Sequence, residues 1–250
     1  MGERIIIVTG ASSGMGREFV KQLAKSTKTV EEIWVIARRE ERLLALKKEI
    51  ANIKVRVFAL DICREKDLNV LAAHLIVENP SVRVLVNAAG VGRAGRFDEI
   101  TRKEAENMVD LNNKALIAIT HMVLPYMTKP GNIIQLASAS AFLPQKEFAV
   151  YAASKAFVLS FSRALQAEVK KQGIVVTAVC PGPVKTEFLS ISNAGRKEKT
   201  LKKLVTVKPK QVVRKAIFDA KRGKEISIYG LPMKATFVAA KLLPHGLFLK

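Results

Sequence analysis

The 250-residue chain has 42 Lys+Arg against 22 Asp+Glu, a formal charge of +20, with 49% hydrophobic and 26% charged residues; this balance excludes a disordered or collagen-like chain and allows one large α/β domain. The two cysteines, Cys63 and Cys180, fall in no C-x-x-C or His-containing spacing, so neither a disulfide scaffold nor a metal centre is expected. Met1-Gly2-Glu3-Arg4 leads straight into Ile5-Ile6-Ile7-Val8 and then a glycine, too short an apolar run for a secretion signal or membrane span, and a cytoplasmic location is expected.

Short runs rich in Val and Ile, apolar throughout, begin at 5–8 and recur at 33–37, 55–59, 82–86, 132–137, 175–179 and 226–229. Such runs suit strands buried on both faces of a parallel sheet. Between them lie helical stretches, among them 16–25, 40–51 with Leu43, Leu44, Leu46 and Ile50, and 151–171 with Phe157, Phe161, Leu165 and Val169 at helical spacing. The alternation predicts a doubly wound parallel sheet flanked by helices on both faces, with ligands at the carboxyl ends of the strands. No repeat or linker divides the chain.

Directly after the first run comes Thr9-Gly10-Ala11-Ser12-Ser13-Gly14-Met15-Gly16 and then a helix. Glycines at a strand-to-helix turn let backbone approach a pyrophosphate, and the helix N-terminus supplies free N–H donors. Gly10-Ala11-Ser12-Ser13-Gly14 also matches the G-x-S-x-G elbow of serine hydrolases. That alternative needs a histidine, of which the chain has His74, His121 and His245, and it leaves nothing upstream for an oxyanion loop. The second run ends Ala37-Arg38-Arg39-Glu40 with no acid at its end. Arg38 is therefore placed to meet a ribose 2′-phosphate, which favours NADP over NAD, while Arg39 reads as a solvated helix start.

Tyr151 and Lys155 lie four apart at the start of the long helix and share one face. A tyrosine titrates too high to be a ready acid–base group, and a neighbouring ammonium together with a cationic nicotinamide would lower it.

On these features the chain resembles the short-chain dehydrogenase/reductase family from about Ile5 to Tyr229. The motifs are Thr9-Gly10-x-x-x-Gly14-x-Gly16, Asp61, Asn87-Ala88-Ala89-Gly90, Asn112, Ser138, Tyr151-x-x-x-Lys155 and Pro181-Gly182-Pro183-Val184-x-Thr186. The resemblance implies a single Rossmann-like domain over 1–230; within it the irregular, apolar-bearing stretch at about 184–208 reads as a substrate lid, and 231–250 reads as a C-terminal amphipathic segment of the same domain. It implies an NADP(H)-dependent enzyme interconverting a ketone and a secondary alcohol. Ser138 would hold the substrate oxygen, and Tyr151 would be the acid/base. Lys155 would bind the nicotinamide ribose and lower the tyrosine, and Asn112 would position a water in the proton relay. The cofactor would lie against Gly10, Ser12, Ser13, Gly14, Met15, Gly16, Arg38, Ala88, Gly90, Tyr151, Lys155, Pro181, Gly182 and Val184, with Asp61 at the adenine, Asn87 near the adenosine ribose and Thr186 at the carboxamide. The serine motif reads Ala137-Ser138-Ala139-Ser140, so Ser140 is a second candidate, and position 13 is serine where many NADP-dependent relatives are basic. A non-enzymatic dinucleotide-binding module is the alternative, opposed by the full set of chemical residues.

Phe188, Leu189, Ile191, Leu201, Leu204 and Val205 in the lid suggest an apolar substrate, such as a 3-oxoacyl thioester or a hydroxysteroid. From Arg196 to Lys224, twelve basic residues face two acidic ones, a patch suited to an anionic substrate handle or an anionic membrane surface. No nucleic-acid recognition motif accompanies it. In the last segment Met233, Phe237 and Ala240 share a face that could rim the pocket, meet another subunit or lie at a membrane interface with Leu247, Phe248 and Leu249. Phe157, Phe161 and Leu165 on the long helix point to a homodimer or homotetramer.

Overall fold

Strand β1 (Arg4–Thr9) carries Ile5, Ile6, Ile7 and Val8, none of them exposed. Successive side chains of a strand face opposite sides, so Ile6 and Val8 join one apolar layer while Ile5 and Ile7 join another. Both faces therefore need cover. In the computed structural model, whose described residues are 2–192, 206–244 and 246, helices on both sides of a seven-stranded parallel sheet provide it.

After β1 the chain forms α1 (Gly14–Ser26), β2 (Glu32–Ala37), α2 (Glu40–Glu49), β3 (Lys54–Ala59), α3 (Glu65–Glu78), β4 (Ser81–Asn87) and α4 (Arg102–Val109). A five-residue π-turn, Asp110–Lys114, joins α4 to α5 (Ala115–Val123), followed by β5 (Met127–Leu136), α6 (Ala149–Val169), β6 (Ile174–Val179) and α7 (Glu187–Ser192). The elements after that are α8 (Pro209–Lys221), β7 (Ile226–Ser227) and α9 (Leu231–Leu242). Phe19, Val20 and Leu23 of α1, Leu43 and Leu46 of α2, and Val212 and Val213 of α8 cover one face. Leu71 and Leu75 of α3, Ile119 and Val123 of α5, and Leu165 and Val169 of α6 cover the other.

The strand order is β3-β2-β1-β4-β5-β6-β7. The chain leaves β1 towards one edge and returns at β4 to build towards the other, so the connections part between β1 and β4 and open a crevice at their carboxyl ends. Glu32 is fully buried near the opposite end of the sheet, accepting from Trp34 Nε1 at 2.8 Å and paired with Arg56 at 3.0 Å.

The predicted elements are present with shifted ends. Strand β5 begins at Met127 rather than 132, α1 begins at Gly14 rather than 16, α6 begins at Ala149 rather than at Tyr151, and β7 is two residues long. Leu165, expected to face a partner subunit, is buried under the sheet, whereas Phe157 is 40% exposed with Phe161 stacked 6.0 Å from it. The helix turns only part of its apolar surface outward.

The base of the expected lid is closed by a bridge between Val184 and Val207, with Lys185 N donating to Val207 O at 3.0 Å. Leu201, Leu204 and Val205 of the lid, five of its basic residues (Arg196, Lys197, Lys199, Lys202 and Lys203), His245 and Leu247 to Leu249 lie outside the described residues. Within the remaining basic segment, buried Asp219 accepts from Ser227 Oγ at 2.8 Å and pairs with Lys215 and Lys224. Among the described residues no helix is long and apolar enough to cross a membrane.

Candidate active site

The crevice is a cavity of about 690 Å³ at the carboxyl ends of the strands. One end is bordered by Arg38, Arg39 and Asp61, the middle by the glycine loop and Ala88 to Gly90, and the other end by Phe148, Phe188, Met233 and Thr236. The loop after β1 passes close to the loop after β4. Gly10 sits at φ +66°, and a Cβ there would lie 2.7 Å from Ala89 N, so only glycine permits the turn. Thr9 Oγ1 fixes the approach from its side by accepting from Ala88 N and Ala89 N at 3.2 and 3.3 Å. With both loops held and α1 starting at Gly14, the donors of the helix N-terminus face the cavity, and the cradle fits a dinucleotide pyrophosphate.

At the adenosine end the arginines divide differently from expectation. Arg38 has a side chain 71% exposed, with Nη1 4.0 Å from Asp61 Oδ2. Arg39, expected to be a solvated helix start, instead lies over the glycine loop. Its Nη2 donates to Ser13 Oγ at 2.9 Å and Ser12 Oγ at 3.2 Å, and its Nη1 donates to Glu187 Oε2 at 3.0 Å. The serine at position 13, where a basic residue was missing, thus receives a guanidinium from the next loop. Sequence position could not reveal this, because both arginines follow the same strand and only the turn into α2 separates them. Asp61 accepts from Cys63 N at 3.1 Å and borders the cavity.

Ser12 has Arg39 as its side-chain donor. Among the described histidines, His74 pairs with Glu78 at 2.9 Å beside Trp34 and Phe58 and does not border the cavity, nor does His121. The hydrolase arrangement is not formed among the described residues.

Two expected site residues do not border the cavity. Asn87 is buried and donates to Thr120 Oγ1 at 2.9 Å, while its side-chain oxygen is buried without a hydrogen-bond partner. It ties β4 to α5. Asn112, on the π-turn, is fully buried; it donates to Val91 O and Ser154 Oγ, both at 2.9 Å, and accepts from Val91 N at 2.9 Å. The extra residue of a π-turn re-aims side chains, and here it directs Asn112 between the loop after β4 and the residue preceding Lys155. Through Ser154 it braces α6 beside Lys155.

Ser138, Tyr151 and Lys155 converge on the cavity wall. Ser138 begins a short turn after β5, with its Oγ accepting from Ser140 N at 3.1 Å, and its hydroxyl acts to lower the Tyr151 phenol. Ser140 also borders the cavity, but its backbone serves to hold Ser138. Tyr151 and Lys155 lie one turn apart on α6. Lys155 Nζ donates to Leu136 O at 2.7 Å and lies 5.8 Å from the centre of the Tyr151 ring.

Burial dominates the titration of this group. It pushes the Tyr151 phenol up to about 12 against the opposing effect of Ser138, pushes Lys155 down to about 8, and raises the neighbouring Cys180 thiol to about 12. Desolvation disfavours phenolate and ammonium alike, so burial moves the two groups in opposite directions.

Aromatic rings wall the substrate end. Tyr151 stacks on Phe148 at 4.3 Å and meets Phe188 of α7 at 5.5 Å. Gly92 makes room for both, since a Cβ there would lie 2.7 Å from Phe188 Cζ and 3.0 Å from Tyr151 Cδ2. Sequence reading missed Gly92, Phe148 and Thr236, which stand outside any motif. Met233 and Thr236 bring α9 to the rim, with Phe237 packed on Phe142 at 4.9 Å.

Comparison with known proteins is consistent with this geometry. The family model described as short chain dehydrogenase matches residues 4–197. An NADP-dependent 3-hydroxy acid dehydrogenase of Escherichia coli O6:H1 is 33% identical over 219 residues, covering 83% of this chain and 85% of that protein. A very-long-chain 3-oxoacyl-CoA reductase of Kluyveromyces lactis is 33% identical over 185 residues, covering 69% of this chain and 53% of that protein. Among solved structures, a short-chain dehydrogenase from Sphingobium yanoikuyae in complex with NADPH superposes with a TM-score of 0.82 at 26% identity, covering 98% of this chain and 95% of that one.

Proposed function

Because the chain belongs to the short-chain dehydrogenase family, we propose that this oxidoreductase uses NADP(H) to interconvert a ketone and a secondary alcohol. The observation that carries the reading is the convergence of Ser138, Tyr151 and Lys155 on one cavity wall beside the glycine cradle. A purely binding module has no need of a buried Tyr–Ser pair. When bound, the nicotinamide supplies or accepts the hydride at the substrate carbon. Ser138 Oγ and Tyr151 Oη hold the substrate oxygen, and the phenol gives that oxygen its proton during reduction and takes it back during oxidation. Lys155 supplies a donor for the nicotinamide ribose, and Asn112 fixes the helix that carries both through Ser154.

Preference for the 2′-phosphate rests on Arg39 and Arg38 at the cavity end after β2. The NADPH complex of the Sphingobium relative and the NADP-dependent Escherichia relative support it. Phe148, Phe188, Leu143, Leu189 and Met233 favour an apolar ketone, with a 3-oxoacyl thioester or a hydroxysteroid as the leading classes. The exposed Lys208, Lys210 and Arg214 suit an anionic handle or an anionic membrane surface. A screen of ketones with NADPH, followed by loss of reduced-nicotinamide absorbance, tests the reading. Tyr151→Phe should bind NADPH normally and lose at least about 100-fold in turnover; undiminished turnover in that variant overturns it.

A further inference from the structure

Glu187, the first residue of α7, has no counterpart among the expected site residues, yet it reaches across the cavity mouth to the adenosine end. Its Oε2 accepts from Arg39 Nη1 at 3.0 Å, and its Oε1 accepts from Arg42 Nη1 on α2. The same Arg39 guanidinium points its other terminal nitrogen at Ser12 and Ser13. That places one cation between the glycine loop, where a ribose 2′-phosphate following β2 would arrive, and a carboxylate from the lid. A carboxylate held on one terminal nitrogen of that guanidinium neutralises it and repels a phosphate arriving at the other.

We propose that Glu187 is a specificity-determining residue that competes with the cofactor's 2′-phosphate for Arg39, so that it restrains selection of NADP(H) over NAD(H). The assignment rests on the dinucleotide reading above. Arg42 completes it: with a second guanidinium to turn to, Glu187 can leave Arg39 when the phosphate arrives and remain paired. The two arginines hold the Glu187 carboxyl below its usual range, Arg42 first and Arg39 second, so the competitor is charged wherever the phosphate is. NAD(H), which brings only a hydroxyl to this position, does not contest the pair.

The test is equilibrium titration of the intact chain, Glu187→Gln, Arg39→Gln and the double variant with NADPH, NADH and 2′-AMP, read by fluorescence or calorimetry rather than by turnover. Half-exposed ion pairs are weak, so Glu187→Gln should tighten NADPH and 2′-AMP about threefold to tenfold and change NADH by less than about twofold. In the Arg39→Gln background the same substitution should give a clearly smaller gain. Unchanged or weaker NADPH binding in Glu187→Gln, an equal gain for NADH, or a gain undiminished without Arg39 overturns the assignment. Failure of the intact chain to bind either dinucleotide overturns the functional reading instead, and the 2′-AMP arm then decides Glu187 by itself; no binding of 2′-AMP by any variant overturns both.

Discussion

Replacing Lys155 by Met should make the protein more stable and inactive. Lys155 Nζ is buried, with Leu136 O at 2.7 Å as its hydrogen-bond acceptor. Burial takes it from the ordinary 10.5 to about 8, which at about 1.4 kcal/mol per unit amounts to about 3 kcal/mol of unfavourable folding energy at pH 7. Methionine fills a similar volume without charge. It leaves the Leu136 carbonyl without this donor, a loss of about 1 kcal/mol, so the net gain should be about 2 kcal/mol, or about 5 °C in Tm for a chain of this size. The sign follows from proton linkage. The folded chain binds fewer protons at Lys155 than the unfolded chain between pH 8 and 10.5, so the parent gains stability as pH rises through that window and the advantage of the variant shrinks. Thermal unfolding of both proteins without cofactor at pH 7 and pH 10 measures it. A variant no more stable than the parent at pH 7, or an advantage that grows towards pH 10, refutes the reasoning.

Three further outcomes are expected. With the Tyr151 phenol raised to about 12 by burial, ketone reduction, which needs the protonated form, should stay level from about pH 6 to 9, while alcohol oxidation should climb with pH; initial rates in both directions give the profiles. Arg39→Gln should weaken NADPH relative to NADH by about 10- to 100-fold, the scale of a lost charge-assisted phosphate contact, and Arg38→Gln by less, because Arg38 is the more solvated; paired titrations decide the order. The exposed Phe157 beside Phe161 on α6 should be covered by a second copy of the chain, so sedimentation should give a dimer or tetramer at micromolar concentration, and Phe157→Glu should shift it towards monomer.

What the sequence determined by itself was whatever short-range spacing encodes. Alternating apolar runs of strand and helix period require a sheet covered on both faces, and Ile5 to Val8 split between two layers for that reason. The glycine loop after β1 and the four-residue step from Tyr151 to Lys155 are likewise local, so their places at the cavity followed from strand direction and helical pitch. Tertiary structure decided the rest, because it depends on which side chains meet across the sheet. The turn into α2 sends Arg39 over Ser12 and Ser13 and leaves Arg38 in solvent. The π-turn commits Asn112 to Val91 and Ser154, and packing against α5 takes Asn87 out of the cavity wall. Burial raises Tyr151 and lowers Lys155, since the dielectric around a side chain is set by neighbours far away in sequence. Glu187 acquires its two arginines in the same way: α7 crosses the cavity mouth and brings together charges that lie 148 and 145 positions apart.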